Sequence, residues 1–219
     1  MNEQVSLSTQ LLDALLLDYA TGTLSPALEV LVETHLAMNP HSAETMQMLM
    51  KLGGVLLEDT EPVSLSEGAL ASVFEQIEQE ERASAEQDNI ASFSTAPAKP
   101  LLDLLPSRDC KTSWRRVGIG VFEYELEIGG VTASFYRIAP GRAVPVHSHD
   151  GTEVSLVLEG GFTDEFGSYG PGDIAIQEQN TEHQPVADHD GECIVFAVNE
   201  GAIRLTGPIG RMLNMIVKN

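Results

Sequence analysis

The sequence predicts a multidomain α + β chain, an N-terminal bundle of about four helices followed by a C-terminal antiparallel β-barrel or sandwich. Three observations carry that prediction. Over the first eighty or so residues the apolar side chains recur at helical spacing, with cap and stop residues between the runs. Residues 83–100, ASAEQDNIASFSTAPAKP, shift to alanine, serine and proline and lose periodicity, which marks a linker. Beyond it the pattern changes to period two, in short runs broken by glycine. The expected division is a helical domain over 1–82, a linker over 83–100 and a β domain over 101–219.

In the first helical run Leu11, Leu12, Leu15, Leu16 and Tyr19 share a face, and Gly22 stops it. Ser25 as N-cap and Pro26 at the first helical position open the second run, SPALEVLVETHLAMN. The third, HSAETMQMLMKLGGVLLE, offers Met46, Leu49, Met50 and the stretch from Leu52 to Leu57 as its apolar face. The fourth turns Leu70, Val73, Phe74 and Ile77 inward and a Glu/Gln-rich remainder outward. After the linker, FEYELEIGGVTASFYRIAPG alternates apolar with charged residues around Gly129-Gly130. Three further segments, beginning at Glu153, Glu192 and Ala202, read as additional short strands.

Charge narrows the function. The net formal charge is −21, with 16 Asp/Glu against 3 Lys/Arg in residues 1–100 and 17 against 9 in residues 101–219. Such a field repels nucleic acid and anionic membrane and suits a basic protein partner, above all for the helical half. The two cysteines, Cys110 and Cys193, form no CxxC pair, which fits a reducing cytoplasm. No run approaches 18 consecutive apolar residues and the N-terminus lacks a basic stretch, so neither a membrane span nor a signal peptide is expected.

His147, His149 and Glu153 have one parity, so on a strand they share a face. A straight strand would spread them over roughly 20 Å, too far for one metal ion. Asp150-Gly151 is a two-residue hairpin signal, and a turn there folds Glu153 back beside the histidines. Two imidazoles and a carboxylate in an apolar setting suit zinc or another divalent first-row metal, with iron, nickel and manganese as alternatives. His183 follows a Pro-Gly-Asp turn and an apolar strand at a suitable interval to supply the fourth ligand. The plain alternative is a solvent-facing histidine pair on a loop.

The pattern Gly141-x5-His147-x-His149-x3-Glu153-x6-Gly160 resembles the first motif of the cupin superfamily at every defined position. Of the second motif Gly172 and His183 are kept, while Glu178, Asn180 and Ala187 stand where proline, glycine and asparagine are usual. The resemblance implies a small cupin β-barrel with His147, His149, Glu153 and His183 as metal ligands, and makes His189 a surface loop residue. The helical half, through DYATGTLSPALEVLVETHL and the later GGVLLE, resembles the anti-sigma domain of ChrR-like regulators. Those domains hold zinc through H-x3-C-x2-C and a further histidine near the N-terminus. Here His35 fills the histidine position, but Asn39 and Ser42 replace the cysteines and no earlier histidine exists. His35 and His41 make at most a weak two-nitrogen site, so no structural zinc is expected in this half. His35 is then expected as a hydrogen-bonded residue between helices.

The resemblance implies a cytoplasmic transcription regulator of the anti-sigma type. Residues 1–82 would hold an extracytoplasmic-function-type sigma factor, and the metal-bearing cupin would sense oxidative stress, singlet oxygen or organic peroxide. Cys193, on an apolar strand, is a small buried hydrophobe or a redox group near the metal. Cys110, beside Arg108 and Lys111, reads as a surface thiol. The alternative function is a cupin metalloenzyme, dioxygenase or isomerase-like, with a helical dimerisation domain; Tyr136, Glu165 and Tyr169 are its only nominees for acid–base work. A storage or scaffold protein is a third reading. Pairing of two copies through their sheets remains open under any of them.

Overall fold

The computed structural model describes residues 2–86, 101, 104–105 and 114–206. Four helices come first: α1 Asn2–Ala20, α2 Pro26–Met38, α3 Pro40–Glu58 and α4 Ala69–Glu86. Helix α4 runs into the expected linker, whose residues 87–100 lie outside the described set, as does Cys110. Eleven strands follow among the described residues: β1 Arg115–Gly118, β2 Val121–Ile128, β3 Val131–Ile138, β4 His147–His149, β5 Glu153–Glu159, β6 Phe162–Thr163, β7 Ser168–Tyr169, β8 Ile174–Gln177, β9 Val186–Ala187, β10 Cys193–Asn199 and β11 Ile203–Leu205. Their ladders are antiparallel and form a six-stranded sheet, β1-β2-β3-β10-β5-β8, with two smaller ones, β11-β4 and β7-β6-β9.

The chain divides into two compact units, Met1–Leu49 with Ala96–Asn219, and Met50–Thr95. In the first, α1 and α2 lie on one face of the six-stranded sheet. One apolar cluster joins Leu15, Leu16, Leu28, Leu31 and Val32 to Phe135, Leu156, Phe196 and Val198 of the strands. The rings of Phe135 and Phe196 meet there at 4.9 Å between centroids. The opposite face carries a second cluster with Val121, Ile138, Val157, Cys193 and Val195, packed with Phe162 of β6 and Ala187 of β9. Period-two alternation therefore feeds two cores: Val154 and Leu156 of β5 point to the helices, Ser155 and Val157 into the barrel. The near-continuous apolar run of β10, CIVFAV, is what a strand covered on both faces requires.

Helix caps follow the sequence. Ser25 is extended before α2 and Pro26 opens it, although the serine hydroxyl makes no cap bond. Asn39 ends α2 and starts α3, its Oδ1 accepting the N–H of Ser42 at 3.2 Å, with Pro40 as the first residue of α3. The tight β2–β3 turn needs both central residues left-handed, and Gly129 and Gly130 take φ of 60° and 81°.

In the second unit the expected inward packing fails. Leu70, Val73, Phe74 and Ile77 of α4 are exposed, as are Leu52, Val55, Leu56 and Leu57 at the end of α3. Of the methionines, Met46 is buried and Met48 and Met50 are exposed. An apolar stripe states that a helix has something to pack against; it does not state that the partner lies in the same chain.

Candidate metal centre

Strand β4 carries His147 and His149 and pairs with β11, placing Leu205 opposite His147 and Ile203 opposite His149. Glu153 opens β5, which belongs to the six-stranded sheet. The Asp150-Gly151 turn is thus no β-hairpin: β4 and β5 are unpaired, and Gly151 does not take the positive φ that a type I′ turn needs. The chain there crosses from one sheet to the other. The crossing is held by Asp150 N–H on the Ala202 carbonyl (3.0 Å), by Glu200 N–H on the Thr152 carbonyl (3.0 Å) and by the Arg204–Asp150 ion pair (2.6 Å). Gly151 backs onto Glu200, where a Cβ would come within 3.0 Å of backbone. The turn still does what a metal site would need, bringing the Glu153 carboxylate to 3.3 Å from His149 Nε2.

His183 faces His147 across an isolated antiparallel bridge, each N–H donating to the other's carbonyl at 3.2 and 3.0 Å. The loop before it contains Asn180 with φ of 64°. Asparagine is among the few side chains that accept this conformation, so the departure from the usual glycine costs the loop little.

His147, His149, Glu153 and His183 are all buried, and one ligand atom from each lies within 4.8 Å of the others. His147 Nε2 is 3.0 Å and His149 Nε2 3.3 Å from His183 Nε2. The outer ring nitrogens set the tautomers. His147 Nδ1 donates to the Pro145 carbonyl at 2.8 Å and His183 Nδ1 to Asp164 Oδ2 at 3.3 Å. With the proton held at Nδ1, the Nε2 atom of each of these two rings presents its lone pair inward. Burial lowers the pKa of His147 to about 4, against the pull of Glu153, and lowers that of His149 as well. Asn199 acts on His149 in the opposite sense, yet His149 Nδ1 and Asn199 Oδ1 are both buried without a hydrogen-bond partner. Lone pairs converging beside a carboxylate repel unless a cation lies among them. Four ligands about 2.0–2.1 Å from a zinc ion stand roughly 3.3 Å apart, close to the separations between these nitrogens. The donor set fits a divalent metal.

Two groups around the site had no distinctive mark in the sequence. Asp164 Oδ1 accepts the N–H of Phe166 (2.8 Å) and Gly167 (3.0 Å), while Oδ2 takes Gln177 Nε2 (3.3 Å) and His183. The Asp164-x-x-Gly167 spacing suits a turn, but nothing in it points to His183. Glu123 is buried and accepts from Ser134 Oγ (3.1 Å) and Tyr136 Oη (3.0 Å), with Arg115 paired to its other oxygen. Burial, then the Glu123 charge, raises the Tyr136 pKa well above the ordinary value. A cavity of about 510 Å³ opens here, lined by Glu123 and Tyr136 and by His147, Glu153 and His183.

The remaining candidates stand apart from that group. His189 is exposed and packs over Gly141, and His41 is exposed at the start of α3. His35 is buried and donates from Nδ1 to the Gly172 carbonyl at 2.7 Å, so its partner is the loop before β8 and not another helix; its Nε2 is buried without a partner. Asn39 is spent on the α3 cap. Cys193 is buried, and burial followed by Asp188 pushes its thiol up to about 12, far from thiolate. Glu165 is exposed and accepts from Gln184 N–H, and the Tyr169 ring packs tilted against Phe162.

The ChrR Cupin-like domain family matches residues 109–203. The whole chain is similar to the Anti-sigma-E factor ChrR of Cereibacter sphaeroides, 40% identical over 202 residues that span 92% of this chain and 93% of the relative. Among solved structures it is similar to that of Rhodobacter sphaeroides SigE in complex with the anti-sigma ChrR. There the identity is 41%, the TM-score 0.68 and the coverage 86% of this chain and 96% of the other. Four helices followed by an antiparallel cupin fold is thus the architecture of this chain.

Proposed function

The chain belongs to the ChrR family of anti-sigma factors, and from that premise we propose that residues 1–82 bind and sequester an extracytoplasmic-function-type sigma factor in the cytoplasm. One observation carries this reading: the end of α3 and the length of α4 expose Leu52, Val55, Leu56 and Leu57, then Leu70, Val73, Phe74 and Ile77. So many large apolar side chains on two neighbouring segments mark an interaction surface. The relatives support its occupant, since one is named an anti-sigma-E factor and the other is bound to SigE. The acidic excess of residues 1–100, 16 against 3, suits a basic partner and disfavours direct contact with nucleic acid. Among the described residues no helix is long and apolar enough to cross a membrane. Membership of this family makes the protein a regulator and not an enzyme.

For the β domain, from residue 101 on, the proposal is that His147, His149, Glu153 and His183 hold one divalent ion, zinc foremost, and that oxidative stress acts there. The ion would supply the positive charge that keeps three imidazoles and a carboxylate together. A route from the site to the helices runs through hydrogen bonds. Asp164 joins His183 to Gln177 at the end of β8. Before the start of β8, Gly172 accepts the hydrogen bond from His35 of α2. Relaxation of the ligand cluster therefore pulls on a strand whose other end is tied to the helical part. The helices themselves would hold without structural zinc, His35 bonding to the barrel and Asn39 capping α3.

The test is affinity purification of the tagged chain from its own host, with identification of the eluate by mass spectrometry. A sigma factor at one-to-one ratio, lost when residues 1–82 are deleted, supports the proposal. A homo-oligomer with no sigma factor overturns it. For sensing, a His147→Ala, His149→Ala double variant should still capture the sigma factor but no longer release it under oxidant; normal release would sink the sensing role.

A further inference from the structure

We propose that the cupin cavity binds a small organic monocarboxylate, its head on the open side of the His147–Glu153–His183 cluster and its apolar body along the barrel wall. The proposal rests on the reading of that cluster as a metal site. The cavity, about 510 Å³, is in the range of small-molecule sites. Three of the four candidate ligands line it, while His149 does not, so the cavity approaches the metal position from one side and leaves a face of it accessible. Away from that end the wall is apolar, with Ile138, Val144, Phe162, Ala175 and Val195.

Charge decides the chemistry of the ligand. The charged lining consists of Arg115 and Arg116 against Glu123 and Glu153, which cancel. Neither carboxylate is left over for a cationic organic ligand: Glu123 is engaged by Arg115, Ser134 and Tyr136, and Glu153 would be spent on the metal, with the Ser155 hydroxyl (3.1 Å) already on one of its oxygens. The phenolic proton of Tyr136 is spent on Glu123, which leaves the tyrosine no proton to donate to a ligand. A divalent ion would add two uncompensated positive charges at one end. An anion is thus favoured there, and the wall of apolar side chains gives an organic acid an advantage over an inorganic one.

The test uses the full chain loaded with zinc, its metal content measured first, then titrated calorimetrically with hexanoate and octanoate. Saturable one-to-one binding is expected, with octanoate tighter than hexanoate and hexan-1-ol at least tenfold weaker than hexanoate. Chelation of the metal should weaken binding at least tenfold. Arg116→Glu, an exposed rim position whose folding is checked by its melting temperature, should weaken it about threefold or more; Ala175→Leu should block it sterically, and if that variant does not fold, Arg116→Glu decides. A zinc-loaded chain that shows no saturable binding overturns the inference while leaving the metal reading intact. So does binding that survives both chelation and Arg116→Glu, or an alcohol that binds as well as the acid. A chain that takes up no divalent ion overturns the metal reading and this inference together, before any acid is added.

Discussion

Leu31 and Leu56 are both leucines on the apolar stripe of a helix, yet Leu31 is 0% and Leu56 63% exposed. The first sits on α2, clasped between helix and sheet with Phe135, Leu156 and Phe196 in its cluster. The second sits at the end of α3, in the unit formed by Met50–Thr95, where the apolar positions of α4 are exposed too. The same pattern therefore serves two ends. In one region burial is completed inside the chain and stabilises the fold; in the other it is not completed by the described residues, and the proposed sigma-factor contact would complete it.

Substitution can break that comparison. Leu56→Asp with Phe74→Asp should reduce sigma-factor capture at least a hundredfold, because two charges would have to be desolvated against an apolar partner surface. The melting temperature should hardly move, since both side chains are already in water. Leu31→Ala should do the reverse, costing about 2–5 kcal/mol of stability from lost transfer energy and a cavity. Its effect on capture should be no more than follows from the fraction unfolded. Chemical denaturation and a capture assay on the same preparations check both. Were Leu56→Asp with Phe74→Asp to unfold the chain while keeping its affinity, the division of labour between the two regions would be wrong.

A smaller effect is expected where a hydrogen bond orients a ligand. In Asp164→Asn the remaining Oδ1 can still accept from Phe166 and Gly167, but an amide replaces the carboxylate oxygen facing His183 Nδ1. An amide N–H there opposes the Nδ1–H tautomer that leaves Nε2 free for a metal. Zinc affinity, measured by competition with a chelator, should fall about 10- to 100-fold. Sigma capture without oxidant should stay intact, as the exposed α3–α4 face is unchanged. Equal zinc affinity in the variant would mean that Asp164 supports only its own turn.

How far all this was legible in the sequence depends on what covers each element. The convergence of His147, His149, Glu153 and His183 was legible because parity, two flanking glycines and the interval to His183 are local facts about strands and turns. Gly141 and Gly160 do take positive φ, 65° and 68°. Glu123 was not legible. In FEYELEI the apolar residues Phe122, Tyr124 and Leu126 face the helical cluster, so the glutamates alternate toward the barrel, where only Glu123 becomes buried. A reader who does not know that helices cover the sheet assigns the charged face to solvent. The inward reading of α4 fails for the converse reason, since nothing in the stripe itself says which chain will cover it. Asp150-Gly151 misled as a hairpin because a chain reversal and a crossing between sheets use the same residues, and only the pairing of β4 with β11 separates them.

The smallest effect concerns the tie between the regions of the first unit, His35 on Gly172. Burial lowers the pKa of His35, the hydrogen bond to Gly172 opposing it in part. Below about pH 6.5 the unfolded chain takes up a proton at this imidazole that the folded chain resists. Stability from His35 is therefore complete above pH 6.5 and lost as pH falls through that value toward the folded pKa, with a slope of at most about 1.4 kcal/mol per pH unit. His147, lowered to about 4, and His149, also lowered, contribute in the same direction below pH 6.5, so the parent's pH profile alone does not isolate His35. The difference between the parent and His35→Gln does. Glutamine can still donate to the Gly172 carbonyl but does not titrate, so the variant's stability should fall less steeply between pH 6.5 and 5, by denaturant unfolding at each pH. Parallel profiles would mean that the buried Nε2 finds a proton acceptor on protonation, and that the tie between α2 and the barrel is insensitive to pH.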